Sequence, residues 1–112
     1  MTLAKTILHI AEREHWDAAR TADAPYTRST RGRSLAEEGF VHCSSDEAQA
    51  SAVLSRFYAD VPPADLILLV IDVASLDAPV RHEPADGELF PHVYGPIPLH
   101  AVIEVRPVPA TR

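Results

Sequence analysis

Hydrophobic and polar positions alternate in two short stretches, and in both the polar side carries histidine. In Gly39-Phe40-Val41-His42-Cys43-Ser44, His42 and Ser44 share one face of a strand while Val41 and Cys43 share the other. In Phe90-Pro91-His92-Val93-Tyr94-Gly95, His92 and Tyr94 lie opposite Val93. The same period of two runs from Thr6 to Ala11, with Ile7 and His9 on one face and Leu8 and Ile10 on the other. Leu66 to Val73 is apolar on both faces until Asp72, as expected of a central strand covered on two sides. Pro79 to Glu83 and Ala101 to Arg106 predict two further strands, with Pro84-Ala85-Asp86-Gly87 as a turn and the proline-broken Gly95-Pro96-Ile97-Pro98 before the last strand.

A helical period replaces this alternation twice. A short helix is predicted from Glu12 to about Ala22, with Trp16 and Ala19 on its apolar side, ended by Asp23-Ala24-Pro25. Ser44 and Glu47 stand at capping-box spacing before Ala50, Val53, Leu54, Phe57 and Tyr58, which follow the i, i+3, i+4, i+7, i+8 rule up to Pro62-Pro63. All five apolar residues are therefore expected against a sheet. Tyr26 to Ser34 holds no period and reads as loop, while Ser34 to Glu38 has room for one helical turn. The order predicts an α+β domain with two or three helices.

Length and charge narrow the function. At 112 residues the chain is expected to form one domain over 1–112. A formal charge of -6 argues against a general grip on nucleic acid, which draws on a basic surface. Arg28, Arg31 and Arg33, among Thr27, Ser29, Thr30 and Ser34, form the one basic cluster, suited either to a solvated loop or to meeting a phosphate. One cysteine and no export-like N-terminus favour a cytoplasmic protein, and no run approaches the ~20 apolar residues of a membrane span. Four scattered glycines offer no phosphate cradle, and no cysteine pair offers a zinc ribbon.

The candidate chemistry rests on imidazole, the side chain best able to exchange a proton near neutral pH. His9, between Leu8 and Ile10, either faces a cleft or is a core histidine with its own partner. His42 precedes the predicted helix start, where an anion is favoured. His92 and Tyr94 either bind or pack with a hydrogen bond at the polar tip. Glu83 is a candidate base or hydroxyl-orienting group, and Tyr26 either stacks on a ring or packs on the first helix. Ser44 has a capping role, and without a Gly-x-Ser-x-Gly elbow it is no nucleophile candidate. Cys43 points away from His42 along the strand and is expected to be buried. No metal is predicted, although imidazoles at His9, His42 and His92 would suit one if they converged.

Taken together, Leu8-His9-Ile10, Trp16, Tyr26, Ser34-Leu35, Glu38 to Ser44, Phe57-Tyr58, Leu66 to Asp72, Glu83 and Phe90 to Pro96 resemble the domain of unknown function 952 family from about Ile7 to Val105. The resemblance implies a split mixed β-sheet similar to the ADP-ribosylation fold, whose cleft holds NAD in the ADP-ribosyltransferase superfamily. His9 resembles the first-strand histidine that holds an NAD ribose there. His42 and Ser44 resemble the His-x-Ser strand ending of RNA 2'-phosphotransferases, and the resemblance would match Glu83 to the late catalytic glutamate. The expected site thus has His42, Glu83 and His92 as catalytic residues and His9, Tyr26, Ser34, Ser44 and Tyr94 as ligand contacts. The expected ligand is nucleotide-like, with NAD as cofactor. A transferase and a non-catalytic module binding a nucleotide, metabolite or peptide both fit these residues.

Overall fold

The computed structural model describes residues 5–108. Strand β1 (Thr6–Glu12) is buried along its interior because both its faces are covered, Ile7 and Ala11 in one apolar cluster and Leu8 and Ile10 in another. It runs directly into helix α1 (Arg13–Ala22), which buries Trp16 and stops at Asp23, whose φ of 51° is left-handed. The loop that follows leads to the single turn α2 (Leu35–Glu38), where Ser34 and Glu37 form a reciprocal capping box. Strand β2 (Val41–His42), helix α3 (Glu47–Phe57) and strand β3 (Leu66–Asp72) come next. Strands β4 (Val80–Ala85) and β5 (Glu88–Val93) form a hairpin closed by Asp86 and Gly87, whose φ values of 50° and 82° suit a two-residue turn of the mirror-image type. Strand β6 (Val102–Pro107) is the last strand of the described residues.

The strands form two three-stranded sheets, ordered β1-β3-β6 and β2-β5-β4. They meet where the backbones of Leu8 and Ser44 exchange hydrogen bonds of 2.8 and 2.7 Å, so the expected split sheet is present. Among the described residues every strand pairing is antiparallel, where a mixed sheet was expected. β4 and β5, joined by a two-residue turn, can pair in no other sense.

β3 is the central strand that its unbroken apolar run predicts, buried from Leu66 to Ile71. On one side Leu66, Leu68 and Val70 pack with Ala50, Val53, Leu54 and Tyr58 from the α3 segment. On the other, Ile67, Leu69 and Ile71 pack with Trp16, Tyr26, Val41, Val93 and Ile97. Each fully buried aliphatic side chain contributes about 1.5–3 kcal/mol, so this doubly covered strand holds the two layers together.

Two sequence expectations fail at α3. The cap is Asp46, whose carboxylate accepts from Gln49 N–H at 2.8 Å, and not Ser44. The chain stays extended through Ser44 to pair with Leu8, so the helix begins later than the capping-box spacing implied. Phe57 is 45% exposed, whereas Val53, Leu54 and Tyr58 are buried as their spacing predicts.

Gly95 makes a close approach that tolerates no side chain. An added Cβ would lie 2.6 Å from Ala78 Cβ, a short side chain fixed to the backbone that cannot swing aside. Gly95→Ala is expected to lower the unfolding free energy by about 1–3 kcal/mol in a urea titration, and an unchanged midpoint would mean that this segment shifts freely. Among the described residues no helix is long and apolar enough to cross a membrane.

Candidate functional site

The hairpin and β2 bring the three expected catalytic residues together on one face. Register pairs His42 with His92 and His92 with Arg81, and places Glu83 opposite Phe90. The same alternation turns Val41, Val93 and Val80 inward to the core. The His42 and His92 rings lie 5.3 Å apart, and Phe40 stacks on His92 at 3.9 Å.

His92 Nδ1 lies 2.8 Å from Glu83 Oε1, and because a carboxylate accepts, Nδ1 carries the hydrogen. The Tyr94 hydroxyl donates to the same oxygen, while the Arg81 guanidinium covers the Tyr94 ring at 4.9 Å. These two hydrogen bonds, Tyr94's the larger, hold the Glu83 carboxyl below its usual range. Glu83 therefore fixes the orientation of His92, whose buried Nε2 has no hydrogen-bond partner among the described residues. No hydrogen bond of the His42 ring is seen among the described residues, and burial, reinforced by the neighbouring His92, lowers its pKa to about 4. His42 is thus a neutral imidazole at pH 7.

A cleft of about 450 Å³ opens at His42. One wall is apolar, formed by Val53, Phe57, Ala85 and Phe90; the other comes from the loop residues Thr30, Arg31 and Arg33 with Glu38. Arg31 is anchored by the Phe57 carbonyl at 3.0 Å and by both oxygens of Asp60 at 2.7 and 3.1 Å. Its φ of 22° is left-handed, a strained backbone for a residue with a Cβ, and such strain concentrates where a side chain must be aimed. Arg33 pairs with Glu38 at 3.2 Å and Arg56 with Asp86 at 3.0 Å, so the rim is built of neutralised ion pairs. A guanidinium has five N–H donors, and these contacts use only some of them at Arg31 and Arg33.

The expected ligand contacts fall elsewhere. His9 and Tyr26 are each 1% exposed and bonded to one another at 2.9 Å. His9 Nδ1 donates to the His42 carbonyl at 2.7 Å, so its neutral Nε2 accepts from the Tyr26 hydroxyl. The first-strand histidine is thus a core histidine with its own partners, and Tyr26 packs against Trp16 and carries no free ring face. Ser44 is buried and, with His9, lines a small space of about 10 Å³ beside His42, at the lower limit for one water. Ser34 spends its hydroxyl on the α2 cap, and Tyr94 spends its own on Glu83. Cys43 is buried as expected, with its thiol pKa pushed up by burial. The imidazoles form no metal cluster; the one group of possible ligands within reach among the described residues is Glu12, Glu14 and His15 on the surface.

Sequence reasoning flagged Arg31 and Arg33 from their hydroxyl-rich loop but gave no sign that they reach His42. It missed Phe57, because helical spacing alone assigns that residue to the core.

The chain is similar to protein CC0527 from Caulobacter crescentus. Against its crystal structure the identity is 27% and the TM-score 0.73, covering 91% of this chain and 84% of that one. Against its solution structure the identity is 26% and the TM-score 0.69, covering 92% of this chain and 84% of that one. No curated protein matches. The family described as protein of unknown function (DUF952) matches residues 10–105, nearly the whole described chain, and the chain belongs to that family.

Proposed function

We propose that the cleft binds a nucleotide-like molecule and that His42 acts on it as the proton-accepting group of a transfer reaction. The observation that carries this reading is the neutral His42 imidazole opening between an apolar wall and two arginines with unspent donors. A phosphate would meet Arg31 and Arg33, the organic part would lie on Val53, Phe57 and Phe90, and a hydroxyl at His42 would lose its proton as it forms a bond to phosphorus or to a ribose carbon. The bond to the leaving group breaks with its electron pair, and His92, oriented by Glu83, positions His42 from behind. NAD and ADP-ribose are within this class, and a likeness to ADP-ribosyltransferases would predict a cleft at the seam of a split sheet. His9 takes no part, since both its nitrogens are used in the core. A cytoplasmic setting belongs to the same reading, supported by a lone cysteine that is buried.

The test is titration of the protein with NAD, ADP-ribose and AMP, following histidine ring signals by NMR, with mass spectrometry of the products. Shifts at His42 and turnover that falls at least a hundredfold in His42→Ala support the enzyme. Binding with no turnover reduces the protein to a binding module. Absence of any shift at His42 with all three ligands overturns the reading.

A further inference from the structure

We infer that the exposed ring of Phe57, which lines the cleft with Phe90, is the surface on which the cleft's ligand lays a planar ring, so that the ligand is a nucleoside phosphate and not a sugar phosphate. This rests on the proposed nucleotide-like ligand and specifies which part of it is recognised.

Helix α3 departs from its own pattern at one position. Phe57 stands seven residues after Ala50, on the apolar stripe that buries Ala50, Val53 and Leu54, yet its ring is 45% exposed. Leaving a phenyl ring half in water forgoes hydrophobic stabilisation that the helix pattern otherwise collects. The exposure has a location: Phe57 and Phe90 line both the His42 cleft and an adjoining hollow of about 550 Å³. The ring thus borders both openings. The backbone that carries it is held, because the Phe57 carbonyl accepts from Arg31 and the following Tyr58 hydroxyl accepts from Arg31 N–H at 3.2 Å. Loop and aromatic wall are therefore tied to each other, placing a cationic group and an apolar ring at a fixed relation.

The Arg56 guanidinium, paired with Asp86, lies 5.9 Å from the Phe57 centroid, and a ligand ring would take the ring surface that Arg56 leaves open. The two tyrosines that the sequence nominates for stacking are both engaged elsewhere, Tyr26 in the core and Tyr94 between Glu83 and Arg81. A nucleoside phosphate and a sugar phosphate carry the same phosphate for Arg31 and Arg33, so the exposed aromatic ring is the element that discriminates between them.

The experiment compares AMP, ribose 5-phosphate and inorganic phosphate by isothermal titration calorimetry on the intact protein, Phe57→Ala and Phe57→Tyr. AMP is expected to bind at least tenfold more tightly than ribose 5-phosphate. Phe57→Ala is expected to remove that advantage without changing the affinity for ribose 5-phosphate, and Phe57→Tyr to retain it. An exposed position makes loss of folding an unsuitable explanation, and the dispersion of the NMR spectrum checks it. Equal binding of AMP and ribose 5-phosphate, or equal weakening of both in Phe57→Ala, overturns ring recognition while leaving a phosphate-binding cleft. Failure of all three probes to bind overturns ring recognition, and failure of NAD and ADP-ribose as well overturns the nucleotide-like ligand.

Discussion

His9→Ala is expected to destabilise the protein by about 3–5 kcal/mol, read as a fall in the urea midpoint with an unchanged slope. Two losses combine at this residue. Removing the imidazole leaves a cavity beneath β1, among side chains that are almost fully buried. It also deprives the His42 carbonyl of its donor and the Tyr26 hydroxyl of its acceptor, both in the interior. His9 links three separate segments, β1, β2 and the Tyr26 loop, so its removal loosens the seam where the sheets join. His9→Asn, which keeps a donor near the Nδ1 position, is expected to recover part of the loss. By contrast His42→Ala, at the open cleft, is expected to cost about 1 kcal/mol, because a partly exposed ring leaves a site that solvent can fill. A loss below about 1 kcal/mol in His9→Ala would show that the linkage holds nothing together.

The second large effect is acid sensitivity above the range in which carboxylates titrate. Burial lowers the His9 pKa to about 4 from 6.5, and His42 is lowered to about 4 as well, again by burial first. The unfolded chain takes up protons at both sites near pH 6.5 while the folded chain refuses them, so the stability they confer is whole above pH 6.5 and drains as pH falls to 4. His9 alone is worth about 3 kcal/mol across this window, with a smaller, solvent-screened addition from His42. His42 also faces His92, which lowers its pKa, and Glu38, which raises it, so the addition depends on both neighbours. The lowered carboxyls of Glu83, Glu37, Asp60 and Glu104 start from 4.5 or 3.8, and their contributions are lost only below those values. Urea titrations at pH 7.5, 6, 5 and 4.5 on the protein and on His9→Asn separate the two groups. Most of the slope between pH 6.5 and 4.5 should vanish in the variant, and a flat profile in the parent would refute the buried neutral His9.

The reach of the sequence differs between backbone and site. Alternation located β1, β2 and β5, and an unbroken apolar run located β3, because their inward residues, such as Val41, Val93 and the β3 run, must be apolar wherever the chain goes. Pairing of His42 with His92 followed from two polar faces that happen to meet in register. Helical spacing placed α3 and most of its buried stripe, but local spacing knows nothing of where a neighbouring strand ends, and Phe57 runs past its cover. Capping-box spacing at Ser44 and Glu47 lost to a long-range contact, since pairing with Leu8 kept Ser44 extended.

Sequence by itself determined the α+β class, the doubly covered β3, and the placing of His42 and His92 on polar faces of their strands, because these depend on periods of two and 3.6 that any packed chain must obey. Only the tertiary structure decided that His9 serves the core, that Glu83 belongs to His92 and Tyr94, and that Arg31 and Phe57 wall the cleft with His42. Each of those depends on which side chain from a distant segment occupies the remaining hydrogen-bonding position or fails to cover a ring, and no local pattern carries that information.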